Sequence, residues 1–295
     1  MKIEGAAARL AFLALAIALL NGPAYVLAQG VALNGVGPIN RAMQGASTAA
    51  PIDAAGALYW NPASISGLPS NEMELGLELL LPTEELSSSI VGVGSGSDRG
   101  EPGVAPIPTL GWVYHCGDTP FTVGLGMYGI GGYRINYLPN PDNPILSPQP
   151  PQGLGLGRVF GELEVLQLAP TLSCRLTDRL SVGFAPTIDL ARLSATPLVF
   201  ATPLDENGDG FASYPSGLGT RYHWGGGFQL GVYYITQHGL HLGFSLKSPQ
   251  WFEDFRFMTA GELGAPRMAK VNVDYPMILS FGSGYMVSED LLIAC

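Results

Sequence analysis

Along most of this chain, apolar and polar residues alternate with a period of two, which is the pattern of β-strands that bury one face. The alternation runs through residues 72–81, 121–130, 179–191, 222–234, 240–246 and 271–285. In residues 121–130, for example, the odd-numbered positions are apolar up to Met127, and the even-numbered positions up to Tyr128 are small or polar. The sequence therefore predicts an all-β protein built from long strands.

The connections between these strands alternate between short and long. The short ones are residues 116–120, 175–178, 237–239 and 288–290, and the long ones are 82–105, 131–161, 194–219 and 249–270. Tight turns at one end of an antiparallel sheet and long loops at the other are typical of outer-membrane barrels. A secreted β-sandwich would also give alternating strands, but its strands are usually shorter.

The predicted fold is therefore a transmembrane antiparallel β-barrel that occupies residues 72–295. Eight full strands are visible, and a ninth begins at Leu291. Single-chain bacterial barrels have an even number of strands, and an unpaired edge is costly in lipid. We therefore expect further strands beyond Cys295.

The alternation changes phase inside one strand. Leu163 and Val165 are odd-numbered, whereas Leu166 and Leu168 are even-numbered. An extra residue in one strand shifts the alternation in this way. The pattern predicts a β-bulge near Val165.

Composition favours a membrane barrel over a soluble domain. Charged residues are 13% of the chain and the mean hydropathy is +0.24, whereas soluble domains carry roughly 25% charged residues. After the first 28 residues there is no second apolar run long enough for a membrane helix, which needs about 20 residues. Alternating strands hide this hydrophobicity, so the protein is expected in the bacterial outer membrane.

Residues 1–28 are interpreted as a secretory signal peptide. Lys2 and Arg9 form a basic start, residues 10–20 are apolar, and Val26-Leu27-Ala28 is a small-residue cleavage site. An uncleaved membrane anchor is the alternative, but the apolar run is short for a bilayer helix.

Charge and reactive side chains exclude several other functions. The net charge of -10 leaves too few basic residues for nucleic-acid binding. The three Cys show neither disulfide-scaffold nor metal spacing. An outer-membrane lipase or protease would need a nucleophile with a base, and the four His have no Ser or acid at motif spacing. We expect neither an enzyme nor a cofactor.

Residues 29–71 lack the alternation and are rich in Gly, Ala, Ser and Asn. Within them, Asn61 can cap a short helix that starts at Pro62, where a missing N–H is tolerated, and Gly67 can end it. The sequence predicts a small folded element ahead of the strands.

This N-terminal region resembles the FadL-type outer-membrane transporters of long-chain fatty acids and aromatic hydrocarbons. The similarity lies in the stretch GPINRAMQGASTAAPIDAAGALYWNPASISGLP, with its Arg-Ala-Met-x-Gly-Ala run, its Tyr59-Trp60 pair and its Asn61-Pro62-Ala63 triplet. Later stretches agree in kind, namely LTDRLSVGFAPTIDLA and LKSPQWFEDFRF.

The resemblance implies a function as well as a fold. In that family the N-terminal segment is a hatch inside a fourteen-stranded barrel, which places residues 29–71 and their Asn61-Pro62-Ala63 triplet in a plug. It implies passive uptake in which a hydrophobic ligand leaves sideways through a kink in the third strand. Gly129, Gly131 and Gly132 could form that kink, although hairpin-end flexibility explains them too.

The resemblance also sets the expected partners. They are outer-membrane lipid, a hydrophobic small molecule and the barrel-assembly machinery, with the protein itself monomeric. A general diffusion porin or a structural barrel is the alternative, and 40-odd residues before the first strand argue against a porin.

Two loops hold further candidate sites. Asp205, Asn207 and Asp209 are spaced like the start of a calcium loop, but the twelfth position is Ser216 where a bidentate Glu is needed, so a turn-rich outer loop is the alternative. Trp251, Phe252 and Phe255 lie in another long loop. They could capture an apolar ligand or simply pack the loop.

Overall fold

The computed structural model describes residues 32–217, 221–288 and 291–295, so the predicted signal peptide lies outside the described residues. The helices are α1 (Pro38–Ala42), α2 (Ala54–Trp60) and a 3₁₀ helix (Ser64–Gly67). The strands are β1 (Glu72–Leu80), β2 (Glu85–Ile90), β3 (Gly94–Arg99), β4 (Ala105–His115), β5 (Phe121–Tyr137), β6 (Val159–Arg175), β7 (Leu180–Thr196), β8 (His223–Ile235), β9 (Leu240–Lys247), β10 (Trp251–Phe252), β11 (Phe255–Ala260), β12 (Pro266–Val271), β13 (Ile278–Ser288) and β14 (Leu291–Ala294).

One antiparallel sheet forms the wall of the molecule, and it confirms the predicted fold. Its strand order is β1-β4-β5-β6-β7-β8-β9-β13-β14, with the short β10 added beside β8. These nine strands are the nine that the alternation indicates. The sheet curls around the helices, since α2 contacts β1, β4, β5 and β6 and the 3₁₀ helix contacts β5 to β8.

The two faces of the wall also follow the alternation. Along β7 the small and polar positions from Ser181 to Asp189 are buried, and they face the interior of the curled sheet. Between them, Phe184 and Ile188 point outward and are 47% and 44% exposed. An outward apolar band with a small and polar interior is the arrangement of a transmembrane barrel.

Three predicted features need correction. The third strand of the sheet, β5, runs to Tyr137 rather than ending at Ile130. The strand predicted for residues 271–285 begins at Ile278, because Val271 ends β12, which pairs with β11 in a separate hairpin. The long loop between β1 and β4 holds a hairpin of its own, β2 with β3.

The bulge lies on the strand next to the predicted one. β6 keeps its alternation, with Leu163 and Val165 buried on the inner face. The register shift is in β5, where Gly129 pairs with Leu166 and Gly131 pairs with Val165. Ile130 is therefore the extra residue, and the apparent change of phase in β6 comes from apolar residues that face inward.

None of the helices among the described residues is long and apolar enough to cross a membrane. The seven-residue α2 forms because its Ala and Leu residues favour helix and because Asp53 accepts a hydrogen bond from Gly56 N at its start. Such a short helix is not stable alone. Contacts with the wall must hold it.

Candidate transport site

The wall holds the N-terminus of α2 with carboxylates. The first four N–H groups of a helix lack partners within the helix and favour negative charge nearby. Here the acceptors are Asp53 for Gly56 N at 2.5 Å, Glu72 for Ala54 N at 3.0 Å and Glu74 for Ala55 N at 3.0 Å. The glutamates of β1, which the alternation places on a polar lumen face, therefore bind the helix.

The opposite wall holds the C-terminus of α2. Gln229 on β8 donates to the carbonyl oxygen of Tyr59 at 2.9 Å, and Ser245 on β9 donates to that of Trp60 at 2.5 Å. The Nζ of Lys247 lies 3.6 Å from the centroid of the Tyr59 ring. Acids at the start of α2 and a lysine at its end both match the helix dipole. The wall thus clamps α2 in one orientation.

Asn61 continues this anchoring beyond the helix. Its Oδ1 accepts a hydrogen bond from Ala63 N at 3.1 Å, which is the predicted capping of the next turn. Its backbone N–H also donates to Ala57 and ends α2, a role the sequence did not reveal. The 3₁₀ helix that follows includes Gly67 as its last residue. Asn61 therefore joins two helical turns, and Pro62 lies between them.

Tyr59 and Trp60 point to different partners. Trp60 Nε1 donates to the buried Asn40 Oδ1 at 2.9 Å, which ties α2 to α1. The Tyr59 ring packs edge-on against Tyr128 of β5, with centroids 5.4 Å apart. Burial raises the pKa of Tyr59 to about 12 and outweighs the lowering effect of Arg41. Trp60 thus organises the segment internally, and Tyr59 contacts the wall.

Glycines of the wall make room for this segment. A Cβ at Gly183 would overlap Pro62 and Ala63, one at Gly231 would overlap Asn61, and one at Gly243 would overlap Thr48. The alternation places these glycines correctly on the inner face, but it does not indicate which backbone approaches them. Their number along a continuous inner face is the signal that a second piece of backbone approaches closely.

A gap separates the first residues of β4 from the last residues of β5. The two strands pair only from Thr109 with Tyr128 down to His115 with Thr122. In the described structure, residues 105–108 of β4 pair with no strand but β1, and residues 129–137 of β5 pair with no strand but β6. The gap begins where the extra residue Ile130 enters β5, so the bulge and the loss of pairing coincide.

The N-terminal segment reaches into this gap. Ala32 forms an isolated bridge with Gly131, and Leu33 N donates to Ile130 O at 3.0 Å. These two residues therefore supply some of the backbone contacts that β4 does not make with β5.

A cavity of about 590 Å³ occupies the gap. Its inner side is lined by Leu33, Ile107 and Leu163, and its outer side by Leu166 and Leu190. Ligand pockets in proteins usually have 300–1,000 Å³ and mostly apolar walls. The cavity joins the inside of the sheet to its outward apolar band.

The predicted glycines lie at this cavity. Gly129, Gly131 and Gly132 all line it, and Gly129 and Gly131 flank the register shift. A Cβ at Gly129 would lie 2.8 Å from Ile107 Cγ2, and one at Gly132 would lie 2.5 Å from the Leu163 carbonyl oxygen. Their role as an exit for ligand stays a prediction.

The predicted aromatic capture residues are mostly inside the loop. Trp251 is 52% exposed, but Phe252 and Phe255 are buried. Phe255 packs against His223 with ring centroids 4.6 Å apart. The exposed aromatic surface that the sequence suggested is therefore reduced to Trp251, and Phe252 and Phe255 pack the loop against β8.

The predicted calcium loop finds no support in the geometry. Both carboxylate oxygens of Asp205 accept hydrogen bonds from backbone N–H groups of Gly208, Asp209 and Gly210. Across residues 32–217, 221–288 and 291–295, no group of three or more His, Cys, Asp or Glu is placed to hold a metal ion. In the described structure Asp205 orders this turn from within, and Glu262 bonds to it from outside by accepting from Asn207 Nδ2 at 2.9 Å.

Taken together, fold and site define a class of protein: an outer-membrane-type β-barrel wall that curls around its own N-terminal segment. The chain belongs to the family of outer membrane protein transport proteins (OMPP1/FadL/TodX), whose family model matches residues 20–289. This match confirms the resemblance read from the N-terminal motifs. No curated protein sequence matches this chain.

Solved structures share the fold at low sequence identity. The toluene transporter TodX of Pseudomonas putida has 18% identity and a TM-score of 0.67, over 90% of this chain and 70% of that one. The toluene transporter TbuX of Ralstonia pickettii has 22% identity and a TM-score of 0.68, over 89% and 70%. A FadL homologue of Pseudomonas aeruginosa has 15% identity and a TM-score of 0.64, over 90% and 68%.

Proposed function

We propose that this protein is a passive outer-membrane transporter of hydrophobic compounds. In this proposal residues 29–71 are the hatch that closes the barrel, and the gap between β4 and β5 is the exit for the ligand. The gap is the main support for this proposal, because its cavity of about 590 Å³ connects the inner face of the wall to the outward apolar band. A ligand that is poorly soluble in water gains most by leaving toward lipid.

The fastening of the N-terminal segment favours this function over a general diffusion porin. A porin keeps a polar, water-filled channel. Here side chains of β1, β8 and β9 bond to α2 at both of its ends. Small polar solutes would therefore meet a filled interior, whereas a hydrophobic ligand can leave through the gap.

The charges at the gap favour a neutral hydrocarbon over a fatty acid as the ligand. Glu162 lies 3.4 Å from Arg134 and 3.4 Å from Arg192, so both guanidinium groups already face a carboxylate. Glu164, which is exposed, adds a second acid to the cavity rim. With two arginines and two glutamates, the rim carries no net positive charge to attract a ligand carboxylate. Toluene is the compound named for two of the similar structures.

A reversible bridge across the gap tests the proposal. A Cβ at Gly129 would lie 4.0 Å from the Cβ of Ile107, within the usual range for a disulfide. We would make Ile107→Cys with Gly129→Cys in a background where Cys116, Cys174 and Cys295 are Ser. Uptake of labelled toluene by cells that produce the oxidised protein should fall to the level of cells without it, and a reductant should restore uptake.

The two single variants, treated with the same oxidant and reductant, are the controls. Equal toluene uptake by the oxidised and reduced double variant would contradict an exit between β4 and β5. Competition by unlabelled hydrocarbon and by a long-chain fatty acid in the same assay identifies the preferred ligand class.

A further inference from the structure

Four polar residues form a continuous row across the inner face of the wall, which we call the polar belt. Thr109 on β4 pairs with Tyr128 on β5, Tyr128 pairs with Gln167 on β6, and Gln167 pairs with Asp189 on β7. Their exposed fractions are 4%, 0%, 0% and 0%. Polar side chains in proteins are mostly exposed, so a row of four that are almost fully buried is informative.

The polar belt separates the cavity from α2, whereas the start of the N-terminal segment, with Leu33, lines the cavity itself. On β4, the cavity lining ends at Pro108, Thr109 follows, and the next inward residue, Gly111, contacts Ala55 of α2. On β6, the lining ends at Leu166 and Gln167 follows. On both strands the belt residue therefore follows the cavity lining, and on β4 the next inward residue contacts α2.

Side-chain contacts connect the belt from strand to strand and to α2. Gln167 Nε2 donates to Asp189 Oδ1 at 2.8 Å, and Lys247 Nζ lies 3.4 Å from Gln167 Oε1. The same Lys247 lies against the Tyr59 ring, and Tyr128 packs against Tyr59 from the other side of the lumen. The belt and Lys247 thus cover the C-terminal end of α2, where Tyr59 lies.

Several belt atoms have unused hydrogen-bonding capacity. Thr109 Oγ1, Tyr128 OH and Asp189 Oδ2 are buried and find no hydrogen-bond partner in the described parts of the chain. A hydrocarbon that entered this layer would separate the paired groups and offer nothing to the unpaired ones. The layer therefore repels apolar molecules although it is closely packed.

We propose that the polar belt is the specificity barrier that keeps hydrophobic ligands away from α2 and directs them to the gap. The inference rests on the proposed transport function and extends it. Tight packing of the hatch alone would block the lumen sterically, whereas the belt makes the route past Tyr128 and Gln167 unfavourable by its chemistry.

Photolabelling with an apolar carbene source tests this role. The probe is trifluoromethyl phenyl diazirine, added to the purified full chain in lipid nanodiscs and mapped by peptide mass spectrometry. In the unmodified protein we expect labels at the inner cavity residues Leu163 and Val165 and background levels at Tyr59 and Trp60. The test variant combines Gln167→Met, Asp189→Leu and Lys247→Met, which removes both charges together and leaves neither unpaired.

In this triple variant, labelling at Tyr59 and Trp60 should rise from background to the level of the cavity residues. Lys247→Met alone is the matched control, because it removes the contact with Tyr59 but keeps Gln167 and Asp189, and its labels should stay at the cavity. Asp189→Asn is a second control. It removes the charge but keeps a polar side chain at this position, so the barrier should be retained.

The outcomes separate the two ideas. If the cavity is labelled in every protein and Tyr59 and Trp60 stay at background in the triple variant, the belt is not the barrier, and transport through the gap stands. If Lys247→Met alone gives the labelling of the triple variant, loosening of α2 is the cause and the belt's role is overturned. An unlabelled cavity in the unmodified protein would overturn the transport proposal and the belt's role with it.

Discussion

Asn61 donates a hydrogen bond of 3.0 Å from its Nδ2 to the carbonyl oxygen of Val232 on β8. The same Nδ2 donates to the carbonyl oxygen of Thr48 at 2.8 Å, so both amide hydrogens are used. Asn61 is fully buried, and a buried carbonyl that loses its donor is costly. One side chain therefore fixes where the N-terminal segment sits on the wall.

Asn61→Asp should loosen the segment. The carboxylate keeps the shape of the side chain but places an oxygen against two carbonyl oxygens, which should cost about 1–3 kcal/mol or more. Amide hydrogen exchange in residues 54–67 should become faster. Asn34→Asp is the control, because Asn34 is exposed and its side chain bonds only within the segment, to Gln44. Equal exchange in the two variants would show that Asn61 is not the anchor.

Gly231→Ala should disturb the same contact from the wall side. The added methyl group would overlap Asn61 Oδ1, and overpacking of this kind typically costs about 1–3 kcal/mol. Gly284→Ala on β13 is the matched control, since its nearest neighbour, Ala49 O, would lie at 3.2 Å. Limited proteolysis of the segment should accelerate in the first variant and stay unchanged in the second. The reverse order would refute the close approach at β8.

Acidification should hold the segment more firmly through Asp53. Burial raises the pKa of Asp53 from 3.8 to about 6, opposed by the hydrogen bond from Gly56 N and assisted by the charges of Glu74 and Glu72. Asp53 therefore binds its proton more tightly when the segment is docked than when the segment is released from the wall. Its protection from hydrogen exchange, corrected for the intrinsic rate, should rise as the pH falls from about 6 toward 4 and be lost as the pH rises through 6.

Asp53→Asn isolates this proton. Asn keeps an oxygen to cap Gly56 N but does not titrate. The protection from hydrogen exchange should therefore depend less on pH between about 4 and 6. An unchanged profile would assign the effect to other groups.

Deletion of residues 29–71 should open the barrel. The segment supplies α2, the 3₁₀ helix and the bridge at Gly131, so its deletion removes the elements that pack against the inner face of β1 and of β4 to β8. In planar bilayers we expect little conductance from the full chain and large steady channels from the deletion. Removal of the β2–β3 hairpin, which pairs with no strand of the main sheet, is the control. Conductance that is the same with and without residues 29–71 would remove the plug assignment.

The wall was predictable from sequence because a strand with one lipid-facing side must alternate. β7 follows the rule at each inward position from Ser181 to Asp189. The rule weakens where the interior itself is apolar. Leu163 and Val165 line the cavity, so they mimic outward residues, and the extra residue Ile130 lies unnoticed on the neighbouring strand.

The candidate site was only partly predictable. The Asn61-Pro62-Ala63 triplet marks the segment, and the capping of Ala63 N by Asn61 follows from local chemistry. The clamp on α2 depends on Glu74 and Gln229, which lie far from it in sequence, and no local pattern pairs them with the helix. The polar belt likewise exists only once the strands are in register.

The close fit between inner-face glycines and the N-terminal segment has a consequence for biogenesis. Gly183, Gly231 and Gly243 leave no clearance for Asn61, Pro62 and Thr48 to slide past. A finished barrel would have to part its strands to admit the segment. We therefore expect the segment to be in place first, with the strands laid down around it, so that it acts as a template for the curvature of the wall.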